Sequence, residues 1–227
     1  MSFKITWLGH SALSLETGGY HILVDPFLSG NPSASAQPEK VPADFILVTH
    51  GHGDHVGDTV QIAKRTGALV VSNFEICNWF SAQGLKTQPQ HLGGGFNYPF
   101  GYLKLTLALH GSALPDGSYG GNPAGLLLTT KDGYKIYMAG DTGLFGDMRL
   151  IGEEGIDLAV LPVGDCYTMG PFDALRAVKF IQPKHVIPVH FDTFPVIVQD
   201  VAAWSAKVQQ ETSAKVHLLK PGESFNL

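Results

Sequence analysis

One after another, the apolar runs of this chain end on a histidine or an aspartate. "KITWLGH" ends on His10, "HILVDP" carries Asp25 at its end, "FILVTH" ends on His50 and "LKLTLALH" on His110. "KIYMAGD" ends on Asp141, "LAVLPVGD" on Asp165 and "HVIPVH" on His190. A polar residue where a strand leaves the core is ordinary, so none of these is informative alone. Together they demand strands that all empty onto one rim, which two stacked sheets provide. Counting His52 and His55, six of the ten histidines lie at these exits.

The runs also set the element order. "KITWLGH", "SALSLET" and "YHILVDP" alternate as strands do and form the start of a meander turning at Gly18-Gly19. "ADFILVTH" and "ALVVS" are continuously apolar, the pattern of strands buried on both faces. Helical spacing follows over Val56–Arg65, ending at Gly67, and over Phe74–Ala82, ending at Gly84. "YLKLTLALH" and a hairpin turning at Asp132-Gly133 come next. After them stand a buried strand, "IDLAVLPVGD", a helix from Pro171 to Ile181, the strand "HVIPVH", a helix from Val196 to Glu211 and a closing strand, "AKVHLLKP". "GGYHILVDP" then "ADFILVTH" echoes "DGYKIYMAGD" then "IDLAVLPVGD", as two facing halves would. The reading is one domain over residues 1–227.

Within "FILVTHGHGDHVGD" the spacing is chemical. His50 and His52 are two apart, so on an extended backbone both imidazoles face one ion. Asp54 and His55 come as the chain turns toward a helix, and their changed direction takes them to a second ion. Asp54 also reads as an N-cap carboxylate. Gly51 and Gly53 leave room for ions and for unusual backbone angles. A structural zinc closes its shell with four ligands, usually including cysteines.

Composition removes competing classes. Net charge is −5 and the pI about 6.0, so there is no basic footprint for nucleic acid. Two cysteines, Cys77 and Cys166, make no disulfide framework and suggest a reducing compartment. Cys166 reads as an inert core residue. No secretory signal precedes the first strand, and no apolar run nears the roughly 20 residues of a membrane span. The expectation is a cytoplasmic protein with a small-molecule substrate, no nucleic-acid or membrane partner, and a homo-oligomer allowed. The loops Ser29–Pro42 and Gly111–Gly125, at about 14–15 residues each, are candidate walls of the substrate site. His21, His91, His185 and His217 fit no ligand pattern and read as structural.

"HGHGDH" resembles the H-x-H-x-D-H signature of the metallo-β-lactamase superfamily, and His110, Asp141 in a "GDT" turn and His190 follow in its order. The resemblance covers the whole chain. It implies an α/β fold, a four-layer αβ/βα sandwich of two mixed sheets packed face to face with helices outside. It implies that His50, His52 and His110 hold one metal, Asp54, His55 and His190 the other, and Asp141 bridges, with Asp54, Asp141 and His190 as the catalytic set. "WLGHS", "ILVDPFLSGNP" and "GDCYTMGPFDA" most resemble a bacterial group of uncharacterised metal-dependent hydrolases, similar to ascorbate-6-phosphate lactonase and the phospholipase D acting on N-acyl phosphatidylethanolamines. His10, Asp25 and Asp165 lie in those stretches and read as groups behind the ligands or facing substrate; Asp25 reads equally as a turn residue before Pro26.

The implied function is hydrolysis of a small phosphodiester or lactone by a hydroxide bridging two divalent transition-metal ions. Zinc is the default, and manganese, iron, cobalt or nickel suit the same donors. A thioesterase would carry a C-terminal helical extension, and a tRNA-processing nuclease a basic arm. Neither long loop is basic, which sets the nuclease aside; a thioesterase or β-lactamase-like hydrolase, and a non-catalytic metal-binding scaffold or sensor, are the alternatives.

Overall fold

The protein is described by a computed structural model covering residues 3–227; Met1 and Ser2, part of the N-terminal reading above, lie outside the described residues. The chain begins with β1 (Lys4–Gly9), β2 (Ala12–Thr17), β3 (Tyr20–Val24) and β4 (Phe45–Leu47). Next come α1 (Gly53–Val56), α2 (Thr59–Thr66), β5 (Leu69–Asn73), α3 (Phe74–Ala82) and β6 (Thr87–Gln90). The second half holds β7 (Gly95–Tyr98), β8 (Gly101–Leu107), β9 (Ala124–Thr130), β10 (Lys135–Met138), α4 (Met148–Glu153) and β11 (Leu158–Pro162). It closes with α5 (Pro171–Ile181), β12 (His185–Val189), α6 (Val201–Glu211), β13 (Lys215–Val216) and β14 (Ser224–Asn226).

The strands form two seven-stranded sheets, ordered β14-β1-β2-β3-β4-β5-β6 and β13-β12-β11-β10-β9-β8-β7. Read from β14 and from β7 respectively, the two sheets have the same plan. Each has four strands in antiparallel succession, then three more added in parallel. The expected sandwich of two mixed sheets with helices outside is the one observed, and the echo between the halves is real.

Burial on both faces explains the continuous apolar runs. Ile22, Val24, Phe45, Leu47 and Val71 join the core between the sheets, where they meet Leu103, Leu126, Leu128 and Ile136. Their alternates Leu23, Ile46, Val48 and Val70 point outward and pack on Ile62, Ala63, Ile76 and Phe80 of α2 and α3. With a period of two, one strand serves both layers. Among the described residues, no helix is long and apolar enough to cross a membrane.

Several boundaries differ from those read in the sequence. The helix expected over Val56–Arg65 is broken at Gly57, which has φ 39° and ψ −128°. There the backbone is pressed against the loop after β3, so that a Cβ on Gly57 would lie 2.5 Å from the Pro26 carbonyl oxygen. The last helix starts at Val201, not Val196, because Asp200 caps it by accepting from the Ala203 amide, and Pro195–Ile197 form a separate 3-10 turn. "AKVHLLKP" yields only β13; the chain then crosses to the other sheet, where β14 pairs with β1. The unforeseen elements include the short helix α4 and the edge strands β6 and β7, which are polar or exposed and lack an apolar signature. Cys166 is exposed, not a core residue; Cys77 is buried, which raises its thiol to about 12.

Gly57→Ala should cost roughly 3 kcal/mol or more, since it adds a Cβ both to a backbone region that disfavours side chains and to a space already filled by backbone. Urea unfolding monitored by circular dichroism measures it; a loss below about 1 kcal/mol would show that the loop yields.

Candidate metal centre

The strand exits meet at one rim, and the backbone bends sharply to bring them there. His10, Asp25 and His190 have positive φ values of 55°, 44° and 57°. Left-handed backbone at a non-glycine residue costs on the order of 1 kcal/mol or more and persists where surrounding contacts enforce it. Each of these side chains is buried.

Three overlapping groups of donors result: His50, His52 and His110; His10, Asp54, His55 and His190; and His50, His55 and Asp141. Within each, one ligand atom per residue lies within 4.8 Å of the others. His52 Nδ1 is 3.1 Å from His50 Nε2 and 3.2 Å from His110 Nε2. Asp141 Oδ2 stands 3.3 Å from His55 Nε2, 3.1 Å from His190 Nε2 and 3.5 Å from His110 Nε2. One carboxylate oxygen therefore touches nitrogens from both halves of the cluster. Asp54 sits in the first turn of α1 and makes no capping bond, so the N-cap reading is excluded.

Asp25 organises the rings from behind. It is 1% exposed, and its carboxylate accepts from the Thr49 amide at 2.8 Å, the Thr49 hydroxyl at 2.6 Å and His55 Nδ1 at 2.8 Å. With its proton committed to Asp25, the Thr49 hydroxyl can only accept from His50 Nδ1, 3.0 Å away. Both rings consequently present Nε2 to the cluster without a hydrogen on it when neutral. His55 Nε2 and Asp141 Oδ1 are buried and lack a hydrogen-bond partner among the described residues. The 3.3 Å approach of His55 Nε2 to Asp141 Oδ2 is an ion-pair distance without hydrogen-bond alignment. Buried lone pairs without a hydrogen-bond partner fit a cation, not an apolar core.

Not every expected site residue converges. Asp165 also has positive φ, 61°, but its exposed carboxylate accepts from the Cys166 amide and faces a groove between α5 and α6, apart from the three donor groups. The loop Gly111–Gly125 does flank the site: a Cβ on Gly111 would lie 3.3 Å from His52 Nε2, and the Ser112 hydroxyl accepts from the Gly51 amide. Of the loop Ser29–Pro42, the far half is drawn onto α2 by Arg65, which donates to the Pro38 and Val41 carbonyls. The nearer walls are Phe27 and Phe194, whose rings lie 5.9 and 5.5 Å from the His10 ring. Thr49, Thr193 and these phenylalanines carry no spacing signal of their own; only "TH", "HFDTF" and, for Phe27, "DPF" place them beside candidate site residues. His185 and His217 bond to one another at 2.8 Å, and His91 stacks on Phe74, away from the donor groups.

A sheet sandwich with histidine and aspartate donors gathered at one rim is the layout of a metal-dependent hydrolase. A model of the β-lactamase superfamily domain matches residues 4–190. A UPF0173 metal-dependent hydrolase of Thermus thermophilus is 50% identical over 224 residues, covering 99% of each chain. A UPF0173 metal-dependent hydrolase of Bacillus cereus is 49% identical over 230 residues, covering 99% of this chain and all of its own. The solved structure of Igni18, a metallo hydrolase from the archaeon Ignicoccus hospitalis, superimposes with a TM-score of 0.91 at 35% identity, covering 100% of this chain and 99% of that one. The chain belongs to the β-lactamase superfamily and is a metal-dependent hydrolase of it.

Without cations the cluster divides its protons unevenly. Burial would lower His55, but the Asp141 and Asp25 carboxylates on either side hold it well above the ordinary histidine value. Burial would raise Asp141, yet His55 and His190 hold it well below the carboxylate range. His10, His50 and His110 are all lowered, chiefly by burial. Below about pH 6.5 the unfolded chain therefore binds protons that those three refuse in the fold, and stability falls as pH falls. Above about 6.5 folded His55 keeps a proton that the unfolded chain gives up, and stability falls as pH rises toward its raised pKa. Chelator-treated protein should show its highest melting temperature near pH 6.5, declining on both sides; a monotonic rise from pH 5 to 9 by calorimetry contradicts this proton distribution.

Proposed function

We propose that the chain is a binuclear metal-dependent hydrolase acting on a small phosphodiester or lactone. His50, His52 and His110 would hold one ion and Asp54, His55 and His190 the other, with Asp141 shared. The observation carrying this reading is Asp141 Oδ2, within 3.5 Å of nitrogens from both sets. Zinc suits the three-histidine set, and manganese, iron, cobalt or nickel suit the mixed nitrogen and oxygen donors. A bound pair of such ions supplies water acidified from about 15.7 to roughly 7 and a Lewis acid for the substrate oxygen.

The chain's own residues position and shield. Asp25 and Thr49 fix the tautomers of His55 and His50, so that donor nitrogens need no rearrangement when loaded. Asp141 aligns both donor sets, and Asp54 adds a carboxylate at the more open side, being 33% exposed where Asp141 is 3%. That difference favours substrate entry past Asp54. Phe27 and Phe194 wall this side with apolar surface, which restricts water around the reacting group. The loop Gly111–Gly125 contains Asp116 and neither lysine nor arginine, which argues against a nucleic-acid substrate at that wall.

Purified protein reconstituted with zinc, manganese or cobalt should hold about two ions per chain. Asp54→Ala and His52→Ala should each lose an ion and lower kcat/KM by about a thousandfold, the several kcal/mol that metal activation provides. Turnover across phosphodiesters, lactones, thioesters and β-lactams, with Asp54→Ala as blank, assigns the substrate class. Full reconstitution stopping at one ion sinks the binuclear reading, and no turnover of any class favours a scaffold. Asp25→Asn should weaken metal binding about 10- to 100-fold while the fold survives.

A further inference from the structure

His10 is wholly buried, yet its ring lies among polar groups. Its carbonyl accepts from Trp7 Nε1 at 2.8 Å and from the His190 amide at 3.1 Å, so its backbone is fixed where the two sheets meet. Its Nδ1 lies 2.9 Å from Thr193 Oγ1 and its Nε2 lies 3.1 Å from Asp54 Oδ2.

The protons around it point one way. The Thr193 hydroxyl donates to the Phe191 carbonyl at 3.3 Å, and so accepts from His10 Nδ1–H. A neutral ring then turns the bare lone pair of Nε2 toward a carboxylate oxygen, two acceptors face to face. A cation between them resolves the contact. The same device operates at His50, where Thr49 donates onward to Asp25 and accepts the ring's Nδ1–H.

Position in the fold agrees. β1 and β8 hold equivalent places, each second from the edge in sheets of the same plan. His110 follows β8 and gathers with His50 and His52; His10 follows β1 and gathers with Asp54, His55 and His190. Spacing agrees as well: two donors about 2.1 Å from one ion stand about 3.0–3.4 Å apart at octahedral to tetrahedral angles. The separation of His10 Nε2 from Asp54 is 3.1 Å, and those among His50, His52 and His110 are 3.1 and 3.2 Å.

We infer that His10 is a direct ligand, through Nε2, of the ion shared by Asp54, His55 and His190. This rests on the binuclear reading above. With Asp141 shared, that ion would have five protein donors, more than tetrahedral zinc takes, so the position selects a five- or six-coordinate ion such as manganese, iron, cobalt or nickel.

Cobalt(II) titration of wild-type and His10→Gln protein by calorimetry tests the assignment. Glutamine keeps an amide that can donate to Asp54 but is a poor transition-metal ligand. The first ion should bind both proteins alike, and the second should bind the variant at least about 100-fold more weakly, at or beyond the loss seen when groups behind a ligand are removed. Both ions bound by the variant within about threefold of wild type would overturn the assignment, leaving His10 a hydrogen-bond donor to Asp54. Wild-type protein holding one ion overturns the binuclear reading and the assignment with it. If the variant fails to fold, dicobalt wild type decides: proton NMR should show four slowly exchanging, paramagnetically shifted ring N–H signals, from buried His10, His50, His55 and His190. Three such signals overturn the assignment.

Discussion

The candidate metal centre hangs on one buried carboxylate. Asp25 has three hydrogen-bond donors on its two oxygens and almost no exposure. A buried carboxylate without such partners costs several kcal/mol, so the loop after β4 must stay where it supplies them. Because those donors are the Thr49 amide, the Thr49 hydroxyl and His55 Nδ1, satisfying Asp25 simultaneously sets the register of "THGHGDH" and turns two imidazoles. The backbone cooperates: Asp25 N donates to the Leu47 carbonyl, so the end of β3 is tied to β4 just where the loop departs.

The two sheets share a plan, and the site arises from where that symmetry is broken. His50 and Asp165 each lie three residues past the end of an equivalent strand, β4 and β11. After β4 the chain makes a short turn in which Gly51 admits close packing: a Cβ there would lie 2.8 Å from the Ser112 carbonyl oxygen. After β11 the chain takes two left-handed residues in succession, Asp165 and Cys166, and carries its carboxylate outward. One half therefore concentrates donors in a single loop, while the other contributes His110, Asp141 and His190 one at a time from three strand exits.

What was legible in the sequence follows from this. Strands buried on both faces are unambiguous apolar runs, and their ends mark the rim, so the sandwich and the gathering of seven candidate donors could be read from pattern and resemblance. Edge strands carry no such signal: β6 is "TQPQ", held by its neighbour rather than by its own apolar side chains. Helix limits shifted where a distant contact intervened, at Gly57 against Pro26 and at the Asp200 cap. Asp25 and Asp165 looked alike as aspartates at strand exits, and only the direction of the following loop separates them. The threonines were invisible because a hydroxyl's role depends on which way its proton points, and that is decided by a partner many residues away.

The same proton accounting bears on the kind of substrate such a centre attracts. Asp25, Asp54 and Asp141 bring three carboxylates to a cluster whose lone pairs outnumber its hydrogens. Two divalent cations would leave the centre carrying roughly one positive charge before a hydroxide binds, in a chain whose formal net charge is −5. Most of that charge would be buried, where it is little screened by salt. A centre so nearly neutral once hydroxide is bound exerts little long-range pull on a polyanion, so recognition rests with groups that reach the ions themselves.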